Sequence, residues 1–436
     1  MRTFGIISKL WLSVSLFASC GVSYAQTASD PFTNDSKERN MIVVISDIHL
    51  GADLAYSETN KNLKPLGNFL DKIRLSPNIK ELVIAGDLLD EWFVPASTDT
   101  YQGKDQADFV RRIAITNKGV IDALNRIIQD RKILVSYVPG NHDLTITGEN
   151  VASILPGINQ ARDKELGLGT YSPADRPEIA IEHGHRYNFF CAPDPISNQD
   201  IAPGTIMPPG YFFTRIAALH VVQNCRSPHD SIPVVTKNTS DGESQKLLFG
   251  YWKLWNATLK LFRIENKFDE KIIVTKVNGF TETYSVKDLL PYQSSAGGLI
   301  DVKLYKGIPE TWTRRQTLNH VAVSISVAQA IRYVADAAET DRQSVLQYFM
   351  NPNSNKRIVV FGHTHVAKIN SSNNRNGLKS IYANSGTWID HNPKLTTTNF
   401  VVITLQNADA SSQTYVKLYN FEGEVVTKMA EDSVRF

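Results

Sequence analysis

Continuous apolar runs recur along the chain, and each is followed by polar residues of the same few types. Apolar runs bounded by turn residues predict buried strands. Five of them lead at once into a short stretch that carries Asp, Asn or His. The five runs are 41–45, 81–85, 132–137, 178–182 and 357–361.

Between the first three runs the apolar positions change to helical spacing. Four apolar side chains at that spacing predict a helix over Lys64–Leu75, and a longer helix is predicted over Asp105–Arg131. Strands that alternate with helices and are apolar on both faces predict an α/β fold with a parallel sheet. Further strands that would close the domain are predicted over 380–386, 399–405 and 414–419.

Residues 190–350 break this alternation and predict a mainly helical insertion. Within them we expect an amphipathic helix over Glu243–Arg263, a strand over Lys271–Val277 and one or two long helices over Trp312–Met350. The mixture of Trp, Lys and Leu in Tyr251–Phe262 fits either a stripe that faces a core or a helix that lies on a membrane surface. We favour the core-facing interpretation.

The first 25 residues have the organisation of a secretory signal peptide. Arg2 and Lys9 supply positive charge before an apolar region, and Ser23 and Ala25 supply the small residues of a cleavage site. An alternative is a lipoprotein signal in which Cys20 is acylated. Both interpretations predict an exported protein of the periplasm or cell surface, and we favour the soluble form. Residues 26–39 are polar and predict a flexible leader.

The cysteine content bears on this predicted location. Removal of Cys20 with the signal peptide would leave Cys191 and Cys225. An even pair in an oxidising compartment predicts a disulfide between them. Two buried free thiols are the alternative.

Composition and charge argue against a protein that binds long nucleic acids. Of the 436 residues, 42% are hydrophobic and 21% are charged, as in an ordinary globular protein. The formal net charge is only +2, and no run of Lys or Arg is present. Because long nucleic acids are bound through phosphate neutralisation, we expect no such partner.

The polar residues that follow the five apolar runs form a candidate metal centre. Six of the ten histidines lie in these short stretches. A single Asp or His after a strand has an ordinary structural explanation, but five such strand ends together indicate one site at the carboxyl edge of a sheet. The expected ligands are Asp47, His49, Asp87, Asn141, His183, His363 and His365.

These ligand types predict which metals would bind. Carboxylates, imidazoles and an amide oxygen, without a thiolate, suit Mn, Fe or Zn better than calcium or a structural zinc cluster. The Asp-x-His spacing places both side chains on one face if the strand continues through them. A central carboxylate such as Asp87 is suited to bridge two divalent metal ions roughly 3.5–4 Å apart.

The same residues resemble the motifs of the calcineurin-like metallophosphoesterases. The resemblance covers about 40–189 and 351–390, and it predicts a metallophosphoesterase domain over 40–189 and 351–436. It implies a four-layer α/β fold, in which a sandwich of sheets is flanked by helices. The matching blocks, in family order, are Asp47-Ile48-His49, Gly86-Asp87-Leu88-Leu89-Asp90, Gly140-Asn141-His142-Asp143, His183-Gly184 and Gly362-His363-Thr364-His365.

The resemblance also implies a role for each residue. Asp47, His49 and His365 would hold the first metal; Asn141, His183 and His363 would hold the second, and Asp87 would bridge them. A metal-bridging hydroxide would attack the phosphorus of a phosphate ester. His142, positioned by Asp143, would stabilise the phosphoryl charge or act as general acid. Asp90, Asp143 and His185 would lie around the ligands, with Asp90 and Asp143 orienting imidazoles. Arg186 and Tyr187 would either contact a substrate phosphate or lie on the rim.

The substrate is less defined. Residues 86–92 and 182–185 look somewhat like the UDP-diacylglucosamine pyrophosphatases, but the predicted export and the insertion argue against carrying that substrate over. We expect a phosphorylated small molecule or lipid, selected by the insertion acting as a cap. The alternatives are a non-catalytic envelope protein that binds a ligand, against which the intact His142 argues, and a phosphodiesterase or nuclease.

Overall fold

The computed structural model describes residues 30–436 except 35, 165–166, 240–241, 335, 337, 394, 407–411 and 424. The predicted signal peptide, with Cys20, lies outside the described residues. The chain divides into two compact units. The sheet unit comprises 30–90, 110–184 and 338–436, and the insertion unit comprises 91–109 and 185–336. The insertion unit therefore takes in a segment before the predicted insertion of 190–350 and ends earlier.

Most strands belong to the sheet unit, and β6 to β9 belong to the insertion unit. The strands are β1 Met41–Ile45, β2 Ile79–Ala85, β3 Leu134–Val138, β4 Asn159–Gln160, β5 Ile179–Ile181, β6 Ile273–Val274, β7 Thr283–Tyr284, β8 Tyr292–Gln293, β9 Ile300–Asp301, β10 Ile358–Phe361, β11 Lys368–Asn373, β12 Lys379–Asn384, β13 Asn399–Thr404, β14 Thr414–Glu422 and β15 Val425–Val434.

Helices occur in both units. They are α1 Leu63–Leu75, α2 Gln106–Thr116, α3 Lys118–Asp130, α4 Gly148–Ile154, α5 Pro209–Gln223, α6 Glu243–Leu261, α7 Val286–Leu289, α8 Ile308–Leu318, α9 Val327–Tyr333 and α10 Glu339–Ser344. A single 3₁₀ turn covers His185–Tyr187, and a π-helical turn covers Val345–Phe349.

The sheet unit contains two mixed sheets rather than one parallel sheet. The larger has the order β15-β14-β13-β1-β2-β3-β4, and the smaller has the order β11-β12-β10-β5. Strands β1 to β4 are parallel, whereas β13 runs antiparallel to β1. In the smaller sheet β5, β10 and β12 are parallel. The alternation of strand and helix was correct, but it did not show that the strands divide between two sheets.

The two sheets bury one apolar core between them. Ile42 and Val44 of β1 share it with Ile181 of β5 and Val360 of β10. Because side chains alternate along a strand, the residues between them face outward, where helices pack. Phe400 of β13 thus meets Phe69 of α1. These layers confirm the predicted α/β sheet sandwich flanked by helices.

One sequence prediction in the sheet unit was wrong in detail. The helix expected over 105–131 is interrupted at Asn117, whose backbone is not helical (φ −110°, ψ 33°) and whose amide donates to the carbonyls of Gly51 and Ile113, both at 2.8 Å. The segment 26–39, predicted as a flexible leader, includes one side chain that packs on the sheet unit. Phe32 is buried and stacks on Phe400 with ring centroids 5.7 Å apart.

The insertion unit is mainly helical, as expected. Helix α6 buries Tyr251 and Trp255, and Trp255 stacks on Phe213 at 3.9 Å, so its apolar stripe faces a core. The strand predicted over 271–277 shortens to β6, and the long helices predicted over 312–350 are several short ones. Within the described residues, no helix combines the length and apolar character needed to cross a bilayer.

Two arginines are fully buried in the insertion unit, and oxygen atoms surround both of them. Arg215 donates to the hydroxyls of Thr100 and Tyr211 and to backbone carbonyls that include those of Pro95 and Val274. The guanidinium of Arg315 donates to the carbonyls of Phe189, Ala192 and Pro193, and its Nη1 lies 3.7 Å from a carboxylate oxygen of Asp194. These two side chains join the surrounding loops.

The predicted disulfide is not formed. Cys191 and Cys225 are both buried, and neither forms a disulfide. Cys191 lies beside Gly210 at the start of α5, and Cys225 follows the end of that helix. A helix of 15 residues separates its ends by roughly 20 Å, whereas a disulfide requires Cα atoms within about 7 Å. The thiol of Cys225 instead donates to the carbonyl of Ser227 at 3.0 Å.

Candidate metal centre

Five of the seven predicted ligand residues lie just beyond strand ends in an uncommon backbone conformation. Asp47 and His49 follow β1 with φ of 52° and 53°, and Asp87 follows β2 with φ of 52°. His363 and His365 follow β10 with φ of 70° and 57°. Left-handed backbone at a residue other than glycine costs about 1–3 kcal/mol and is often found at functional sites. The predicted strand alternation was therefore the wrong reason for the convergence of Asp47 and His49.

Backbone hydrogen bonds fix these strained segments. The amides of Ile48 and His49 both donate to the carbonyl of Asp87 at 2.9 Å, and the amide of Asp47 donates to Gly86 at 3.1 Å. The segments after β1 and β2 thus remain joined where the regular strands have ended. This pairing places Asp47, His49 and Asp87 side by side.

The predicted first metal set is brought together. Ligand atoms of Asp47, His49 and His365 lie within 4.8 Å of one another. Nε2 of His365 is 3.2 Å from Oδ1 of Asp47, and the rings of His49 and His365 have centroids 5.3 Å apart. Residues separated by more than three hundred positions therefore offer one carboxylate and two imidazoles to a single point.

The predicted second set lies beside the first. Nε2 of His183 is 3.1 Å from Oδ2 of Asp87 and 3.1 Å from Oδ1 of Asn141. Nδ1 of His183 lies 2.9 Å from the carbonyl of Ala85, which orients its ring. The ring of His363 is 5.1 Å from that of His183. Asp47 joins the two sets, because its Oδ1 lies 4.0 Å from Nε2 of His183.

Two glycines of the motifs are required by close approach. A Cβ at Gly140 would lie 2.1 Å from Oδ1 of Asp87, and one at Gly86 would lie 2.4 Å from Nδ1 of His183. Gly86 also has a φ of +90°. Any side chain at either position would displace a ligand residue.

The orienting partner of His142 is Asp90 and not Asp143. Nδ1 of His142 lies 2.8 Å from Oδ1 of Asp90, and Nδ1 of His49 lies 3.0 Å from Oδ2. The carboxylate of Asp143 instead accepts the backbone amides of Gly140, Leu88 and Leu89, at 2.6, 2.9 and 3.3 Å. Asp143 sits at a turn whose amides point at it, so it joins two loops instead of holding the imidazole.

A further acidic residue, Glu58, belongs to this cluster and was not predicted. With His49, Asp90 and His142 it forms a third group of potential ligand atoms within 4.8 Å of one another. It lies in the irregular segment between β1 and α1, without an apolar run or a motif. The only signal in the sequence is that Glu58 carries a carboxylate, and many exposed residues do so as well.

The electrostatics of the cluster favour bound positive charge. The imidazoles of His183 and His365 hold the pKa of Asp47 below its ordinary value although burial alone would raise it. His183 and His142 do the same for Asp87. Burial opposes charge on His49 and His183, but the neighbouring carboxylates raise their pKa values to about 10 and about 9. Burial and the nearby His183 lower the pKa of His363 to about 3.

A divalent cation fits this arrangement. Nε2 of His49 is buried without a hydrogen-bond partner among the described residues, and it lies 3.6 Å from Oδ2 of Asp87. Such an orphaned nitrogen next to ionised carboxylates is typical of a ligand atom whose metal is absent. The oxygen and nitrogen donors suit Mn, Fe or Zn.

Three predicted residues belong to the insertion unit and are described there. His185, Arg186 and Tyr187 form the 3₁₀ turn, and all three are buried. Nη1 of Arg186 lies 3.4 Å from the carbonyl of Asn319. Their expected contact with a ligand or substrate stays a prediction.

Comparison with protein families identifies the domain. A model of the calcineurin-like phosphoesterase family matches residues 41–207, which contain five of the seven predicted metal ligands. This match supports a calcineurin-like phosphoesterase domain over residues 41–207. The other two predicted ligands, His363 and His365, lie beyond the matched residues, and the fold brings them to Asp47. A comparison with curated proteins found no match.

Proposed function

We propose that the protein hydrolyses phosphate esters with two divalent metal ions, which can be Mn, Fe or Zn. The observation that carries the proposal is the convergence of two ligand sets around Asp47 and Asp87, next to the His142–Asp90 pair. Asp47, His49 and His365 would hold the first ion. Asn141, His183 and His363 would hold the second, with Asp87 between them.

His142 is the residue best placed to move a proton. When bound, the metal ions supply a nucleophile at neutral pH and stabilise phosphoryl charge. Asp90 holds Nδ1 of His142 and, despite the burial of the imidazole, helps to raise its pKa. The ring would therefore carry a proton on Nε2 that it can donate to the leaving oxygen. The side chain of His142 is 12% exposed, against 2% for Asp90, so it is the member of the pair nearer to solvent.

The ionised carboxylates around the metal positions would repel an anionic phosphate unless bound cations offset their charge. Metal removal should therefore abolish both hydrolysis and phosphate binding. We propose a phosphorylated small molecule or lipid as substrate, since the net charge of +2 gives little attraction for a long polyanion.

The test is hydrolysis by the chelator-treated protein after reloading with Mn²⁺, Fe²⁺ or Zn²⁺. An aryl phosphomonoester and an aryl phosphodiester would be compared. Asp87→Ala should lower kcat/KM by at least about a thousandfold, because it removes a bridging ligand worth several kcal/mol. His142→Ala should lower kcat by about 10²–10⁴-fold and leave metal binding intact.

The exposed His229→Ala is the matched control and should hydrolyse like the wild type, since this side chain is 50% exposed in the insertion unit. Absence of turnover of either ester, with two metals bound per chain, would favour a ligand-binding protein. Full activity of the chelated protein would contradict metal dependence.

A further inference from the structure

The third group of potential ligand atoms shares His49 with the first metal set and contains Asp90, the carboxylate that also holds His142. His49 belongs to the first metal set, and its Nε2 faces Asp87 at 3.6 Å. Its other nitrogen, Nδ1, meets Asp90 at 3.0 Å and Glu58 at 3.5 Å. A neutral imidazole that binds a metal through Nε2 carries its proton on Nδ1 and donates it to such carboxylates.

Asp90 lies within hydrogen-bond distance of two histidines. Its Oδ1 lies against His142 and its Oδ2 against His49. A carboxylate shared in this way is drawn toward both rings. A second acceptor on Nδ1 of His49 would hold that ring when Asp90 shifts toward His142.

Glu58 has the position for this second acceptor, and its burial keeps it there. Its side chain is 6% exposed, so few water molecules can compete with His49 for the carboxylate.

The backbone of Glu58 is fixed by contacts that do not involve its carboxylate. The amide of Asp390 donates to the carbonyl of Glu58 at 2.9 Å. The carboxylate of Asp390 accepts the amides of Asn60, Lys61 and Asn62 at 3.0–3.1 Å. The hydroxyl of Thr59 donates to the carbonyl of Ile48 at 2.6 Å. A change confined to the Glu58 carboxylate should therefore leave this segment in place.

We propose that Glu58 is a positioning residue of the metal centre, which together with Asp90 holds Nδ1 of His49 so that Nε2 faces the first metal. The inference rests on the proposed function, since it presumes a metal on His49. It gives the segment between β1 and α1 a role that no motif of the sequence indicates.

A third metal bound by this group would use the same Nδ1 atom. His49 would then have to lose both ring protons, and Asp90 would have to release His142. The hydrogen bonds already made by Asp90 favour the positioning role over a ligand role.

The experiment is calorimetric titration of the chelator-treated protein with Mn²⁺ and, separately, Zn²⁺. The wild type should bind two ions. In Glu58→Gln, which keeps the shape and removes the charge, one of the two affinities should fall about 10–100-fold and the other should stay unchanged. Glu58→Asp should recover part of the loss.

Glu81→Gln is the matched control. Glu81 is also a buried carboxylate of the sheet unit, but it lies toward the amino end of β2 and binds the hydroxyl of Tyr171 at 2.7 Å. Its metal affinities should equal those of the wild type. Glu58→Gln should also add no further loss in a His49→Ala background, because Glu58 acts through that ring.

Four results would overturn the inference. Unchanged metal affinities in Glu58→Gln would show that Asp90 alone holds His49, and a full additional loss in the His49→Ala background would show that Glu58 acts elsewhere. Loss of a third bound ion in Glu58→Gln would make Glu58 a ligand. A wild type that binds no metal would refute the proposed function itself, and this inference with it.

Discussion

The two units of the protein bury charged side chains in opposite ways. In the insertion unit, Arg215 and Arg315 are surrounded by hydroxyl and carbonyl oxygens of nearby loops. In the sheet unit, carboxylates and imidazoles crowd together, and Nε2 of His49 has no hydrogen bond among the described residues. The arginines sit where they stabilise loops. The imidazole sits where a cation could bind.

This difference separates structural from functional burial of charge. A buried ion whose charge is surrounded by oxygen atoms of the chain needs no ligand from outside it. A buried ligand atom without a partner, on strained backbone and beside ionised carboxylates, marks a site that is incomplete by itself. Substitutions in the two units should therefore have different readouts.

The largest effect on stability is expected for Arg315→Met. The change removes the positive charge beside the buried carboxylate of Asp194 and leaves the carbonyls of Phe189, Ala192 and Pro193 without this donor, which should lower the free energy of unfolding by about 3–5 kcal/mol. Urea unfolding would measure it. Arg314→Met, an exposed neighbour on the same helix, should unfold like the wild type. An equal loss in both variants would show that burial of Arg315 is not the cause.

The metal-free protein should lose stability as the pH rises. The folded-state pKa values of His49 and His183 are raised to about 10 and about 9, above the ordinary 6.5. The folded state therefore binds more protons than the unfolded state, and this stabilisation is complete below pH 6.5 and disappears as the pH approaches 10. Between pH 6.5 and 9.5 we expect a fall on the order of 2–4 kcal/mol.

Urea unfolding of chelated protein at pH 6.5 and pH 9.5 tests whether the free energy of unfolding falls as the pH rises. The metal-loaded protein is the control and should change less, because bound metal keeps the imidazoles free of that proton at both values. A chelated protein that becomes more stable toward pH 9.5 would contradict the expectation.

Loss of the carboxylate that joins His49 and His142 should have an intermediate effect on catalysis. Asp90→Asn should lower kcat by about 10–100-fold, because it loosens both rings without removing a metal ligand. Asp175→Asn is the control, since Asp175 pairs with Lys80 near the opposite end of β2. Equal rates in wild type and Asp90→Asn would indicate that the backbone alone orients His142.

The smallest effect is expected from reductant. Because neither cysteine forms a disulfide, a thiol reductant should change the free energy of unfolding by less than about 0.5 kcal/mol, against about 2–5 kcal/mol for a native disulfide. Thiol titration of the denatured, unreduced protein without its first 25 residues should find Cys191 and Cys225 free. Detection of no thiol would instead support the predicted disulfide.

The sequence predicted the convergence of these side chains because residue type and strand end coincide there. Asp47, Asp87 and His183 each follow an apolar run, and such runs indicate which edge of a sheet their residues share. The family resemblance implied a sandwich of sheets, but the apolar runs alone did not indicate which strands belong to which sheet. Both sheets contain parallel apolar strands, and pairing between β5 and β10 joins segments far apart in the chain.

Other features depend on contacts that residue type does not encode. Asp143 is adjacent to His142 in the sequence, yet the amides of its own turn bind it, and the more distant Asp90 reaches the ring. Glu58 lies in an irregular segment whose course is set by Asp390. The number of cysteines suggested a pair, but the length of α5 keeps the two thiols apart.

The left-handed backbone at Asp47, His49, Asp87, His363 and His365 has a consequence for protein design. Methods that choose residues for backbone compatibility favour glycine or asparagine at such positions. Applied to this chain to improve thermal stability, they would replace these five residues early. A redesigned protein could then unfold at a higher temperature and yet bind no metal, so these positions must be held constant in any stabilised variant.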